Sequence, residues 1–124
     1  MIQSHTYLNV SDNSGAKLVQ CIKTLKVSKY NYATIGDIIV IVIKDCNITQ
    51  KVKKGNINYA MIIRTKKEFK KINNILIKFN TNDVILLTDR SSYQPIGTRI
   101  FGPILYELKN NSLYKSIFLS SQII

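Results

Sequence analysis

The stretch that decides the fold reads Tyr59-Ala60-Met61-Ile62-Ile63-Arg64-Thr65-Lys66-Lys67-Glu68-Phe69-Lys70-Lys71. Its first five residues are apolar and include two adjacent β-branched residues, which is typical of a strand covered over most of its surface. After Ile63 the character changes, because the cations crowd together around a single carboxylate, Glu68. The stretch therefore predicts a core strand that leads directly into a positively charged segment.

The charged half of this stretch allows two interpretations. In an extended chain alternate side chains point to opposite faces, so Arg64 and Lys66 would share one face and Lys67 would lie on the other. Such a row could line a groove that carries phosphates, or it could be a solvated strand end. A second basic cluster precedes Gly55. The candidate phosphate-binding residues are Lys51, Lys53, Lys54, Arg64, Lys66, Lys67, Lys70 and Lys71.

The composition is that of a protein that binds a polyanion. The 124 residues include 18 Lys and Arg against 7 Asp and Glu, which gives a net charge of +11. Hydrophobic residues make up 45% of the chain, so the charge does not indicate disorder. Nucleic acid is the commonest partner of such a surface. A membrane surface is disfavoured, because the sequence has no long basic amphipathic helix and no apolar run of about 18 residues.

The sequence disfavours an enzyme and predicts neither a cofactor nor a metal site. It contains one histidine, His5, and no nucleophile elbow, phosphate-binding loop or zinc-ligand spacing. Cys21 and Cys46 lie far apart without a nearby histidine, so we expect buried free thiols.

Short β-strands separated by turn-rich linkers account for the first 88 residues. Ile38–Ile43 is the most β-rich run and is predicted to be buried on both faces. Ile72–Asn74 is predicted to be a tight turn that makes Ile75–Phe79 the hairpin partner of the strand from Tyr59. Five or six strands without a helical pattern predict a mainly β protein, a small closed five-stranded antiparallel β-barrel. The other predicted strands are Thr6–Val10, Lys17–Val27 and Val84–Thr88.

The last third predicts a different structure. Pro103 suits the first position of a helix, in which Ile104, Leu105 and Leu108 would form one apolar stripe. Leu113–Leu119 fits a second short helix or a strand equally well. We therefore expect one domain over residues 1–124. Residues 1–88 would form the barrel with its basic hairpin, and residues 89–124 a loop and one or two short helices packed on the barrel.

A set of motifs in order along the chain resembles one known family. The motifs are Met1-Ile2-Gln3, Leu8-Asn9-Val10, Asp12-Asn13-Ser14-Gly15-Ala16, Gly36-Asp37-Ile38-Ile39, Lys51-Val52-Lys53-Lys54-Gly55, Arg64-Thr65-Lys66-Lys67-Glu68 and Gly97-Thr98-Arg99-Ile100-Phe101-Gly102-Pro103. On these motifs the sequence resembles, over nearly its whole length, the universal large-subunit ribosomal proteins numbered fourteen, in their bacterial and organellar form.

The resemblance implies a structural role in translation. Such proteins bind large-subunit rRNA near the sarcin-ricin region, pack beside the large-subunit protein numbered nineteen, and help to form bridges to small-subunit rRNA. A ribosomal silencing factor can bind the same exposed surface. Carried over to this chain, the residues of the inter-subunit and protein contact are Thr98, Arg99 and Lys115. No membrane partner is implied.

One alternative is a free-standing barrel that binds single-stranded nucleic acid, in which Tyr59, Phe69 and Phe79 would stack on bases. The sequence also departs from the family pattern at two places. Asn74 stands where the hairpin signature has Gly, which is compatible with a positive φ. Leu119-Ser120-Ser121-Gln122-Ile123 replaces the usual Leu-Ala-Pro-Glu-Val ending.

The abundance of Ile, Asn, Lys and Tyr, which have A/T-rich codons, predicts a genome poor in G and C. Strand-like sequence begins close to Met1, so we expect no targeting peptide. The expected location is the ribosome of a mitochondrion or plastid that encodes the protein, and the alternative is the cytoplasm of an A/T-rich bacterium.

Overall fold

The computed structural model describes residues 2–25, 32–48, 52–89, 94–111 and 120–124, and these residues confirm the mainly β class. The described part contains nine strands and one 3₁₀ helix. In chain order they are β1 (Tyr7–Val10), β2 (Ala16–Thr24), β3 (Ile38–Cys46), β4 (Ile57–Arg64), β5 (Phe69–Lys70), β6 (Leu76–Ile77), β7 (Asp83–Leu87), β8 (Ile100–Ile104), the 3₁₀ helix (Tyr106–Asn111) and β9 (Ser120–Ile123).

Five strands close a barrel in the order β1-β2-β3-β4-β7, which confirms the predicted strand number and closure. The prediction of a wholly antiparallel barrel is wrong, because β1 and β7 run parallel, with Asn9 opposite Asp83 and Val10 opposite Val84. The other four contacts are antiparallel. The reason is geometric, since the strands of a closed ring with an odd number of members cannot alternate in direction all the way round.

The strands that are buried on both faces are β4 and β7, and not β3 as the sequence suggested. Along β3 the residues alternate between buried and half-buried, and Ile39, Ile41 and Ile43 point into the core. All of β7 and the second half of β4 are buried. Apolar residues from outside the barrel complete the same core: Ile100, Ile104, Leu105 and Leu108. The apolar pattern alone did not reveal which strands this later segment covers.

The Tyr59–Lys71 stretch is not one continuous strand. β4 ends at Arg64, and a short separate hairpin follows in which β5 pairs with β6, Phe69 opposite Ile77. The expected pairing of Ile75–Phe79 with the Tyr59 strand is therefore wrong, since β4 pairs with β3 and β7. The hairpin turn is confirmed, and Asn74 adopts the anticipated positive φ of 65°.

The predicted helix from Pro103 is replaced by a strand. Pro103 lies in β8, which pairs in parallel with β9. Helical structure among the described residues begins later, at Tyr106, and it is a 3₁₀ helix that ends at Asn111. Ile104, Leu105 and Leu108 are buried as expected, but on a strand, a connection and a 3₁₀ turn. All of Leu113–Leu119 lies outside the described residues.

Candidate nucleic-acid interface

Three exposed lysines, Lys66, Lys67 and Lys70, lie between β4 and the turn of the β5–β6 hairpin. Polar contacts fix the bend that carries the first two. The hydroxyl of Thr65 donates to the carbonyl oxygen of Lys67 over 2.9 Å, and the Lys66 N–H donates to Asn82 Oδ1 over 2.8 Å. Because Thr65 is buried, the bend is joined to the barrel while the ammonium groups remain in solvent.

The hairpin is attached to the core by its apolar side chains. Phe69, Ile77 and Phe79 are partly buried and pack against the core cluster. The Phe79 N–H also donates to the carbonyl oxygen of Thr65 over 3.0 Å. The exposed lysines are therefore carried by an element whose other side is held by the barrel.

Arg64 does not belong to this exposed row. Its side chain is 10% exposed, and Nε donates to Asp83 Oδ2 over 2.6 Å. Nη1 donates to the carbonyl oxygens of Phe101 and Pro103 over 3.0 and 2.8 Å, and Nη2 donates to Ser11 Oγ. The expectation that Arg64 shares a phosphate-binding face with Lys66 is corrected, because its donors are used inside the protein.

The packing of Arg64 requires a glycine on β8. A Cβ atom at Gly102 would lie 2.5 Å from Arg64 Nη1, and Gly102 has a φ of +83°. The absence of a side chain lets the β8 backbone approach the guanidinium group, whose Nη1 then donates to two β8 carbonyl oxygens. Arg64 thus connects β4, β7 and β8 at one end of the barrel.

Lys71 is also turned toward the protein. Its Nζ lies 3.6 Å from Glu107 Oε1, and it donates to the carbonyl oxygen of Ile124 over 3.2 Å. The Lys71 side chain is 12% exposed, in contrast to the exposed Lys70 beside it. Of the cations predicted for this stretch, the structure therefore leaves three in solvent and turns two inward.

The second basic cluster lies between β3 and β4. Lys53 and Lys54 are exposed at the turn before Gly55. They border a surface hollow of about 340 Å³ that is also lined by Cys46, Asn47, Ile48 and Val52. Lys51, the third predicted member, lies outside the described residues.

The Thr98–Arg99 segment is held by the side chain of Asn13, a contact that the sequence did not predict. Asn13 Oδ1 accepts the N–H groups of Thr98 and Arg99 over 2.7 and 3.1 Å, and Asn13 Nδ2 donates to Thr98 Oγ1 over 2.8 Å. A Cβ at Gly97 would lie 2.7 Å from Asn13 Oδ1, so this close approach also needs a glycine.

The side chain of Arg99 itself is exposed and lies over the ring of Phe101, with its guanidinium carbon 5.5 Å from the ring centroid. Lys115, the third residue predicted for a protein contact, lies outside the described residues.

Asp12, next to Asn13, connects the turn before β2 to the barrel. Its carboxylate is buried, and Oδ1 accepts the N–H of Ser14 over 3.0 Å, while Oδ2 accepts the N–H of Leu86 over 3.0 Å. The turn before β2 is therefore bonded to β7 as well as to the Thr98–Arg99 segment. The sequence contained the signal for a turn at Asp12–Gly15 but none for its distant partners.

The described residues offer no metal-binding group of three or more His, Cys, Asp or Glu side chains. Cys21 is buried and Cys46 half-buried, and both are free thiols. Burial raises the pKa of the Cys21 thiol to about 11. None of the helical structure described is long and apolar enough to span a membrane.

Comparison with known proteins extends the family resemblance to the whole chain. The family model described as ribosomal protein L14p/L23e matches residues 1–124. A curated relative, the large ribosomal subunit protein uL14 of Carsonella ruddii (strain PV), is 51% identical over 124 residues, which is 100% of both chains. The protein is thus a structural large-subunit ribosomal protein located in the ribosome, and not an enzyme. The chain belongs to the ribosomal protein L14p/L23e family.

Proposed function

We propose that the protein binds large-subunit rRNA through the exposed lysines Lys66, Lys67 and Lys70, with Lys53 and Lys54 as a second set of contacts. Binding comes from neutralising phosphates and releasing their counterions, which is independent of base sequence. The barrel contributes position, because it fixes the backbone that carries the charges. Arg64 is omitted from this surface because it is buried.

The observation that carries the proposal is the contrast between the two sides of the hairpin. Phe69 and Ile77 pack on the core, whereas Lys66, Lys67 and Lys70 are exposed around them. A surface that serves only solubility would not need its lysines on an element with fixed backbone contacts. A rigid arrangement of cations is suited to a folded RNA whose phosphates also have fixed positions.

The experiment is a filter-binding titration of a large-subunit rRNA fragment from about 50 to 200 mM salt. The variant Lys66→Gln/Lys67→Gln/Lys70→Gln should lower the slope of log affinity against log salt by about 2 to 3, since each phosphate contact contributes about 0.7 to 0.9. The matched control is Lys17→Gln/Lys23→Gln/Lys44→Gln, which removes the same charge from exposed positions on β2 and β3. Equal slopes for the two variants would reject the hairpin as the contact.

The same titration tests the alternative of a free-standing barrel for single strands. That mode needs aromatic faces free to stack on bases, but Tyr59, Phe69 and Phe79 are half-buried and packed against the core. We expect weaker binding to a poly-pyrimidine strand than to a folded rRNA stem. The reverse order would favour the alternative.

A second proposed contact concerns the inter-subunit face. The side chain of Arg99 is exposed while its backbone N–H donates to Asn13 Oδ1, so Arg99 suits a contact with small-subunit rRNA, the protein numbered nineteen or a silencing factor. Thr98 would act mainly by fixing the loop, since its hydroxyl accepts the Asn13 amide. Lys115 stays a prediction from the family resemblance.

The source of the protein is also a proposal. The abundance of amino acids with A/T-rich codons fits a mitochondrial or plastid genome and an A/T-rich bacterium, and the bacterial relative favours the second. Sedimentation of ribosomal subunits distinguishes the two sources. A bacterial protein should be found in large subunits from the bacterial cytoplasm, and an organellar protein in large subunits from the organelle fraction.

A further inference from the structure

The ammonium group of Lys71 joins the β5–β6 hairpin to two places in the C-terminal part of the chain. Its acceptors are Glu107 Oε1 at 3.6 Å, in the first turn of the 3₁₀ helix, and the carbonyl oxygen of Ile124 at 3.2 Å, directly after β9. The Lys71 and Glu107 side chains are only 12% and 19% exposed, so solvent screens this ion pair less than one on the open surface.

One of the two acceptors of Lys71, Ile124, is itself fixed by main-chain hydrogen bonds. The carbonyl oxygen of Ile124 also accepts the N–H of Tyr106 over 2.8 Å. The N–H of Ile124 donates to the carbonyl oxygen of Ile104 over 2.8 Å. The side chain of Lys71 is thus bonded to a part of the chain that is connected to β8, and not to a freely moving end.

The backbone of Lys71 closes the hairpin turn. Its N–H donates to the carbonyl oxygen of Ile75 over 2.9 Å, and its own carbonyl oxygen accepts the N–H of Asn74 over 3.0 Å. The paired strands of this hairpin have two residues each, and such a short isolated hairpin is marginally stable in water. Contacts outside the hairpin must therefore contribute to its orientation.

We propose that Lys71 is a positioning residue and not a phosphate contact. Through Glu107 and Ile124 it holds the hairpin in the orientation that presents Lys66, Lys67 and Lys70 to RNA. The C-terminal part thereby controls the basic surface although it supplies none of these cations. This inference deepens the proposed rRNA binding, on which its RNA measurement rests.

Neutralising Glu107 distinguishes the two possible roles of Lys71, because the two roles predict opposite changes in RNA affinity. If Lys71 bound phosphate, Glu107→Gln would free the ammonium group and raise the affinity for the rRNA fragment. If Lys71 positions the hairpin, Glu107→Gln lowers that affinity by about twofold to fivefold, the range expected for a partly exposed ion pair. The matched control is Glu68→Gln, which removes the same charge from an exposed carboxylate beside the lysines and should raise the affinity.

Charge exchange provides the second RNA measurement. Lys71→Glu should weaken binding, and Lys71→Glu/Glu107→Lys should restore most of the loss, because the ion pair is re-formed with its signs reversed. A phosphate contact at position 71 would not be restored by a lysine at position 107.

Hydrogen exchange of the free protein tests the positioning without RNA. The amides of Lys71 and Asn74 should exchange about fivefold faster in Glu107→Gln than in the unmodified protein, as expected when a contact of this kind is lost. Amides of the β3–β4 pairing should be unaffected. Lys71→Arg should slow the exchange, since a planar fork can also reach Glu107 Oε2, a buried atom with no hydrogen-bond partner among the described residues.

The hydrogen-exchange and RNA-binding measurements test the positioning role and the proposed rRNA binding independently of each other. Unchanged exchange at Lys71 and Asn74 overturns the positioning role, as does a higher RNA affinity of Glu107→Gln. If the unmodified protein shows no salt-dependent RNA binding but exchange responds as stated, the proposed rRNA binding is rejected and the positioning of the hairpin by Lys71 stands.

Discussion

Arg64 and Asp83 form a buried ion pair in which Nε lies 2.6 Å from Oδ2, and their side chains are 10% and 7% exposed. Asp83 Oδ2 also accepts a hydrogen bond from the hydroxyl of Thr81 over 2.6 Å, so this one oxygen has two donors. The remaining nitrogens of Arg64 bond Ser11 and two carbonyl oxygens of β8. This pair joins neighbouring barrel strands and fixes the segment that leads to the C-terminal part.

Removing one member of this pair should strongly destabilise the protein. Arg64→Ala leaves Asp83 buried without its cation, and we expect a loss of about 3–5 kcal/mol in the free energy of unfolding. Arg64→Lys should also be costly, since a lysine cannot reproduce the fork that bonds three separate elements. Urea denaturation measures both, with Lys17→Ala as an exposed control. A loss equal to that of the control would show that the pair contributes nothing.

Two glycines of similar φ allow the close approach at Arg64 to be measured. Gly55→Ala carries only the cost of a positive φ, about 1–2 kcal/mol, because no atom of the described residues lies within 4 Å of the new Cβ. Gly102→Ala has the same cost and also displaces the Arg64 guanidinium group. We therefore expect it to lower the free energy of unfolding by about 1–3 kcal/mol more than Gly55→Ala does. Equal unfolding free energies for the two variants would contradict this packing.

Asn13 should control the order of the Thr98–Arg99 segment. Asn13→Ala removes all three hydrogen bonds, and the amides of Thr98 and Arg99 should exchange faster with a stability loss of about 1–2 kcal/mol. Asn13→Asp keeps an acceptor for the two N–H groups and should have the smaller effect. If alanine and aspartate behave alike, the Oδ1 acceptor of Asn13 does not hold this segment.

Arg99→Ala should leave the thermal midpoint almost unchanged while weakening the joining of ribosomal subunits. The physical reason is that the side chain is exposed, and its contact with the ring of Phe101 is worth only about 0.5–1 kcal/mol at such a site. Thermal melting and a subunit-association assay are the two measurements. A large drop in the midpoint would instead assign Arg99 a role in tying the loop to the barrel.

The buried thiol of Cys21 predicts a loss of stability in alkali. Burial raises its pKa from 9.0 to about 11, so between these values the unfolded chain releases a proton that the folded protein retains. The thiol's contribution to stability is thus complete below pH 9 and is lost as the pH rises toward 11. Cys21→Ala should show a shallower decline than the unmodified protein in urea titrations across this range. Parallel curves would exclude the thiol as the cause.

Local sequence was sufficient for the barrel strands and their turns. The predicted run Ile38–Ile43 lies within β3, although only its alternate residues are fully buried, and Asn74 has the positive φ that its position in the hairpin turn suggested. Both features depend on the backbone preferences of a few consecutive residues. The clustering of lysines around residues 66–70 was also visible without coordinates, although the strand that was to carry them was not continuous.

The candidate site was less predictable, because the sequence does not distinguish an inward cation from an outward one. Arg64 and Lys71 look like their neighbours along the chain, yet their acceptors are Asp83, Glu107 and backbone carbonyls of distant segments. The clamp formed by Asn13 on Thr98 likewise joins residues 85 positions apart.

Composition, alternation and local motifs were enough to predict a mainly β protein, a basic surface and the family to which the chain is similar. The parallel β1–β7 contact, the strand at Pro103 and the inward direction of Arg64 and Lys71 became known from the three-dimensional structure alone. These depend on closing the barrel and on packing the C-terminal part against it. A buried cation such as Arg64 is stable only where acceptors from several segments of the chain form hydrogen bonds with it.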